Sequence, residues 1–126
     1  MPHIADYEIA PNYPDVDLHD LSKYSRDFFN IVVIDNVLEH LSDPRQALDE
    51  IYTILQVGGK CICLTPFLIR IHGYPDDYWR FTESGLRKLF DRFSHVEIES
   101  WGNRFTVATT MQLKPIPIIL KHSLHA

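Results

Sequence analysis

Four polar residues that could perform chemistry follow one apolar segment of the sequence: Asp35, Asn36, Glu39 and His40. The segment before them, residues 28–33, is an unbroken run rich in β-branched residues, typical of a parallel-sheet strand covered on both faces. Ligands of such sheets bind beyond the carboxyl ends of the strands. A histidine there can accept a proton near neutral pH, so His40 is a candidate general base. The alternative is that His40 only caps or packs the turn.

A β-α-β unit is predicted to hold these residues at the sheet edge. Ser42, Asp43 and Pro44 are typical of a helix start, with a capping side chain and a proline in the first turn. Apolar residues then recur at helical spacing, and Gly58 is predicted to end the helix in a left-handed conformation. Residues 60–64 form the second strand of the unit.

The other elements are predicted from shorter patterns. Thr82 is predicted to cap a second helix, because apolar residues follow it at helical spacing. The alternation over residues 95–101 predicts a third strand. Two short strands are also expected near the start of the chain, over residues 4–9 and residues 16–19. The polar residues that follow the first strand of the β-α-β unit would then lie beside those of the loop that follows its second strand.

That loop contains a second cluster of residues suited to binding. Aromatic rings offer flat apolar contact area, and a guanidinium can grip a carboxylate or phosphate with two hydrogen bonds. The alternative is a structural loop, in which the aromatic side chains fill the core and the arginine pairs with Asp76 or Asp77. The candidate substrate-binding residues are His72, Tyr78, Trp79 and Arg80.

The order of these motifs resembles a known enzyme family. Leu38-Glu-His-Leu41, then Asp-Pro, a helix, Gly-Gly and a strand closing in Thr-Pro resemble class I S-adenosylmethionine-dependent methyltransferases, of the ubiquinone-biosynthesis or methyltransferase type 11 kind. The resemblance runs from about residue 7 to residue 103. It implies an α/β, Rossmann-like three-layer α/β/α fold and methyl transfer from S-adenosyl-L-methionine to a small-molecule acceptor, with no metal. It also favours a helix over residues 104–114, although local propensity there favours a strand.

The resemblance also implies roles for individual residues. Glu8 would accept hydrogen bonds from the ribose hydroxyls of the cofactor, and Asp20 would contact the adenine amino group. Asp35 and Asn36 would face the methionine part of the cofactor or the acceptor. The alternatives are a solvated surface side chain for Glu8 and an ordinary turn residue for Asp20.

One part of the family pattern is missing from this sequence. The five glycines, Gly58, Gly59, Gly73, Gly85 and Gly102, do not form the glycine-rich loop that receives the cofactor in the family. We therefore expect a fold that is incomplete at the N-terminus. We also expect a truncated enzyme with impaired activity and with weak or undetectable cofactor binding. An open apolar edge is expected at residues 31–34, which favours self-association or a partner subunit. The alternative function is a non-catalytic methyltransferase remnant that binds a partner or oligomerises.

Composition narrows the remaining possibilities. The net charge is −5 and lysine and arginine do not cluster, which argues against nucleic-acid binding. Cys61 and Cys63 alternate on one strand, which suits two reduced core residues. With no leader pattern and no membrane-spanning run, a cytoplasmic location is expected. One partial domain is predicted, with a low-order segment over residues 1–24, a core over 25–103 and a C-terminal extension over 104–126.

Overall fold

The computed structural model describes residues 16–73 and 76–102, together with the backbone of residues 119–125. Four strands and two α-helices make up this part of the chain, and a short 3-10 turn, Leu38–His40, follows the first strand. The elements in chain order are β1 (Phe29–Asp35), α1 (Pro44–Ile54), β2 (Leu55–Pro66), α2 (Glu83–Leu89), β3 (His95–Ser100) and β4 (Ile119–His125).

The strands form one mixed sheet in the order β1-β2-β4-β3. β1 and β2 are parallel and are joined through α1, with Val32 opposite Cys61 and Ile34 opposite Cys63. β4 runs antiparallel to both of its neighbours, β2 and β3. The β-α-β unit predicted from the sequence is therefore confirmed, and it places the ends of β1 and β2 side by side.

The start of α1 is confirmed and its end differs from the prediction. Asp43 caps the helix by accepting a hydrogen bond from the amide of Gln46. The helix ends at Ile54, four residues before the glycine that was predicted to stop it, because Leu55 is already extended and pairs with β1. Gly58 has a φ of +78°, and a Cβ on Gly59 would lie 2.8 Å from a backbone oxygen. The glycines therefore shape the start of β2.

Both helices pack on one face of the sheet. Ile34, Cys61 and Cys63 lie in a single buried cluster with apolar residues of α1 and α2. Burial raises the pKa of the Cys61 thiol to about 12, which suits an inert core residue. The other face of β1 is open, since Ile31 is 50% and Val33 60% exposed. The prediction that β1 is covered on both faces is therefore wrong in this structure.

The remaining predictions have mixed outcomes. Thr82 caps α2 by accepting a hydrogen bond from the amide of Gly85, and β3 forms where alternation predicted it. Residues 16–20 contain a turn at residues 18–19 and no strand, so the strand predicted over residues 16–19 is wrong. The strand over residues 4–9 and the helix over 104–114 lie outside the described residues. β4 was not predicted. Among the described residues, no helix is long and apolar enough to cross a membrane.

Candidate functional site

The 3-10 turn after β1 places a carboxyl group inside the protein. Asn36 adopts a φ of +51°, a conformation that asparagine tolerates better than most residues, and its amide donates to Leu64 of β2. The chain then turns sharply, and the Glu39 side chain is fully buried. Its Oε2 accepts a long hydrogen bond of 3.5 Å from the Thr65 hydroxyl at the end of β2. Glu39 thus joins the ends of the two parallel strands.

The other carboxylate oxygen of Glu39 faces two histidines. Oε1 has no hydrogen-bond partner among the described residues. It lies 3.6 Å from His40 Nε2 and 3.7 Å from His72 Nε2. The two imidazole rings are nearly perpendicular, with centroids 4.9 Å apart. Burial raises the pKa of Glu39, and the neighbouring histidines and Arg80 oppose this only in part.

The loop after β2 is tied to the turn by its backbone and side chains. The carbonyl of Glu39 accepts hydrogen bonds from the amides of Tyr78, at 2.9 Å, and Trp79, at 3.2 Å. The indole of Trp79 donates to the carbonyl of Leu41 at 2.7 Å. His40 Nδ1 lies 2.6 Å from the carbonyl oxygen of Asp76. The loop and the turn therefore form one unit.

An ion pair inside the loop holds its shape. Both terminal nitrogens of Arg80 bind the carboxylate of Asp77, at 2.6 and 2.9 Å, and also donate to the carbonyls of Ile69, Arg70 and Trp79. The Asp77 side chain is only 3% exposed, and it also accepts from the amide of His72. The hydrogen bonds from Arg80 lower the pKa of Asp77 to about 2.

We expect this ion pair to make stability depend on acid pH. Because the folded-state pKa of Asp77 is depressed, its contribution is complete above the unfolded pKa of about 4 and is lost as the pH falls toward about 2. The contribution should be about 2 kcal/mol, measured as the difference in unfolding free energy between about pH 5.5 and pH 2.5. The Asp77→Asn variant should lose that part of the pH dependence. An identical pH profile in both proteins would contradict the assignment.

The predicted cofactor residues are only partly brought together. Asp35 and Asn36 lie side by side at the carboxyl end of β1, where the Asn36 amide donates to the exposed carboxylate of Asp35 at 2.8 Å. The Asn36 Oδ1 is buried and has no partner among the described residues. Asp20 lies in the exposed turn before β1 and accepts a local hydrogen bond from the amide of Ser22. Glu8 lies outside the described residues.

The predicted substrate residues gather around the turn in different ways. His72 lies against Glu39. Tyr78 and Trp79 keep 49% and 41% of their surface exposed at this edge. Arg80 binds Asp77 and backbone carbonyls of its own loop. The sequence placed Glu39 among the polar residues after β1 but indicated no role for it, and it indicated Asp77 only as an alternative partner of Arg80.

A groove of about 440 Å³ lies elsewhere, between the start of α1, the start of α2 and the ring of Trp79. Its walls include the side chains of Arg45 and Lys88. The Arg45 guanidinium already pairs with Asp91 at 2.7 Å. The groove does not include Glu39, His40 or His72, so it lies apart from that cluster.

The sheet, with β1 parallel to β2 and β4 antiparallel to its neighbours, is a partial Rossmann-like sheet. The solved structures that share this fold are methyltransferases. Residues 4–63 match the family model described as a methyltransferase domain. The resemblance to class I S-adenosylmethionine-dependent methyltransferases and the fold class are thereby confirmed.

Individual relatives agree with this fold. A region of Probable polyketide synthase 26 of Dictyostelium discoideum is 31% identical over 65 residues, or 48% of this chain. The N1-methyltransferase of 1,6-didemethyltoxoflavin from Burkholderia thailandensis, solved with S-adenosylhomocysteine, superposes with a TM-score of 0.66 over 88% of this chain at 14% identity. A Haloferax volcanii methyltransferase complexed with the activator Trm112 superposes with a TM-score of 0.64 over 92% of this chain at 17% identity.

The chain is much shorter than these relatives. It spans 3% of the polyketide synthase, 48% of the Burkholderia enzyme and 63% of the Haloferax chain. At these identities the solved structures show a shared fold, and the methyltransferase-domain match is what connects the chain to methyl transfer in general.

Proposed function

We propose that this chain takes part in methyl transfer from S-adenosyl-L-methionine to a small-molecule acceptor. The observation that carries the proposal is the polar edge at the ends of β1 and β2, within a chain that matches the methyltransferase domain over residues 4–63. Ligands of open α/β sheets bind beyond the carboxyl ends of the strands. Asp35 and Asn36 lie at that position.

The residues at the end of β1 fit the methionine part of the cofactor. The exposed carboxylate of Asp35 and the Oδ1 of Asn36, which has no hydrogen-bond partner among the described residues, are both acceptors, and an ammonium group is a donor only. They would hold the α-ammonium of the cofactor, and Asp20 and Glu8 would contact its adenosine part, as the family resemblance implies. The bound cofactor supplies a methyl group on a sulfonium centre.

The loop would form the acceptor side of the site. The exposed faces of Tyr78 and Trp79 offer an apolar surface to a planar or aliphatic acceptor, next to His72. Arg80 would position the loop, since its donors already bind Asp77 and backbone carbonyls. The acceptor itself would be a small molecule.

The role of His40 as general base stays a prediction. Its Nδ1 contacts a backbone carbonyl and its Nε2 faces Glu39, a geometry that favours the structural alternative. The His40→Asn variant tests the choice through the pH dependence of turnover in any active assembly containing this chain. Loss of a pH-dependent limb in the variant identifies a base, while an unchanged profile identifies a structural ring.

Ligand-detected NMR on the full chain tests the cofactor proposal. S-adenosylhomocysteine at millimolar concentration should receive magnetisation from the protein, and the Asp35→Ala and Asn36→Ala variants should reduce the effect by about tenfold each, the loss of one good hydrogen bond to a charged group. The matched control is Asp91→Ala, because Asp91 pairs with Arg45 away from this edge. No transfer to S-adenosylhomocysteine, or equal transfer in all variants, would contradict the proposal.

Association through the open face of β1 is a second candidate function. Ile31 and Val33 are half or more exposed, whereas on the opposite face Ile34 is buried in the core and Val32 packs against it. β1 is also an edge strand among the described residues, so its backbone is available for pairing. One structural relative was solved in complex with an activator protein, which supports partner binding as a possibility for this fold.

A further inference from the structure

We propose that Glu39, His40 and His72 form a binding site for a divalent transition metal of the Zn²⁺ class. One candidate ligand atom from each residue lies within 4.8 Å of the other two. The three residues come from two segments, the turn after β1 and the loop after β2. The family resemblance led us to expect no metal, and the three residues come together only in the folded chain.

The hydrogen bonds of the two histidines leave an unprotonated Nε2 atom on each ring, and both of these acceptors face a third acceptor, Glu39 Oε1. The Nδ1 of His40 contacts a carbonyl oxygen, so that nitrogen must carry the proton. His72 Nδ1 likewise lies 3.2 Å from the carbonyl of Arg70 and 3.3 Å from the carboxylate of Asp77. In the neutral rings both Nε2 atoms therefore have lone pairs, and both point at Glu39 Oε1.

A metal cation at the centre would satisfy all three groups. Glu39 Oε1 is buried without a hydrogen-bond donor among the described residues, which is costly for a carboxylate. The distances of 3.6 and 3.7 Å from Oε1 to the two nitrogens are too long for hydrogen bonds. Bonds of about 2.0 Å to a tetrahedral Zn²⁺ place two ligand atoms about 3.3 Å apart, close to both distances.

The surroundings of the cluster match those of known metal sites. A histidine that binds a metal usually donates its other ring nitrogen to a backbone carbonyl or a carboxylate. His40 does so through a carbonyl, and His72 through a carbonyl and Asp77, which Arg80 in turn holds. The histidine side chains are 18% and 31% exposed, so a fourth ligand from solvent can reach the ion.

Three protein ligands with one open position are typical of a reactive zinc centre, whereas a structural zinc site usually has four protein ligands. The two cysteines do not belong to this cluster, since both are buried in the apolar core. The metal proposal is independent of the cofactor proposal, because its ligands do not include Asp35 or Asn36.

Titration of the purified full chain with Zn²⁺ and with Co²⁺ tests the proposal. We expect one ion per chain at this cluster, intense visible absorption of the Co²⁺ form from a four-coordinate site, and a higher melting temperature with metal. The Glu39→Gln and His72→Gln variants should each weaken binding more than about tenfold. The His95→Gln variant removes another of the seven histidines, one that contacts Glu97, and should bind like the wild type.

The melting temperature of the metal-free Glu39→Gln variant shows whether its weaker metal binding results only from a loss of folding. Its amide can donate to a histidine Nε2, so in chelator its melting temperature should equal or exceed that of the wild type. Binding that is unchanged in Glu39→Gln and His72→Gln would overturn the proposal and assign the metal to other histidines. Absence of a Co²⁺ spectrum in the folded wild type would also overturn it.

Discussion

Replacing Arg80 with alanine is expected to lower the free energy of unfolding by about 3 kcal/mol, the cost of leaving one partner of a buried ion pair alone. The Asp77 side chain is 3% exposed and would lose both hydrogen bonds from the guanidinium. The carbonyls of Ile69 and Arg70 would lose their contacts with Arg80 as well. Urea unfolding followed by tryptophan fluorescence measures the change, because Trp79 lies in the same loop.

The matched control is Arg87→Ala. Arg87 also pairs with an acidic residue at helical spacing, but its side chain is 50% and that of Glu83 64% exposed. Exposed pairs contribute less than about 1 kcal/mol. Equal and small effects of both substitutions would show that Arg80 does not hold the loop. They would favour the alternative in which its guanidinium binds an anionic acceptor.

The chain is expected to associate through the open face of β1, and lysines there should convert it to a monomer. Ile31 and Val33 present two branched apolar side chains to solvent on an edge strand. Burying them in a second copy gains about 1.5–3 kcal/mol per side chain, in addition to backbone pairing. Light scattering should give a mass above 14.7 kDa for the wild type and 14.7 kDa for the Ile31→Lys, Val33→Lys double variant.

A single change elsewhere controls for added charge. Val57 is 99% exposed at the start of β2, so Val57→Lys should leave the association unchanged. A wild-type chain that stays monomeric up to millimolar concentration would contradict the prediction, as would association that survives both lysines at the face.

Local patterns predicted those parts of the fold that local interactions determine. The helix caps at Asp43 and Thr82 could be identified because each needs only a side chain and an amide three residues away. The apolar face of α1 and the apolar run before Asp35 were enough to predict the β-α-β unit. The position of Asp35 and Asn36 at a strand end followed from that unit alone.

Long-range contacts determined what the sequence could not predict. β4 pairs antiparallel with both β2 and β3, and no local signal in the sequence specifies these partners. The helix over Pro44–Ile54 stops early because Leu55 pairs with Phe29 of a distant segment. The apolar run of β1 suits a strand with one covered face as well as a strand with two covered faces, so the sequence could not distinguish these arrangements.

The same limit applies to the candidate site. Glu39, next to His40, was visible at a strand end, but its burial depends on the loop that contributes His72. The pairing of Arg80 with Asp77 was one of two alternatives, and its geometry favours a positioning role for Arg80 over direct contact with substrate.

The most direct test of the account is an amide chemical-shift map of the full chain with S-adenosylhomocysteine. We predict weak binding whose perturbations concentrate from Asp35 to Glu39 and at Asp20, with smaller changes at Tyr78 and Trp79. Amides at the far end of the sheet, such as Gln56 and Val57, should not move. Perturbations centred on those distant amides, or none at all at millimolar ligand, would contradict a cofactor site at the carboxyl ends of β1 and β2.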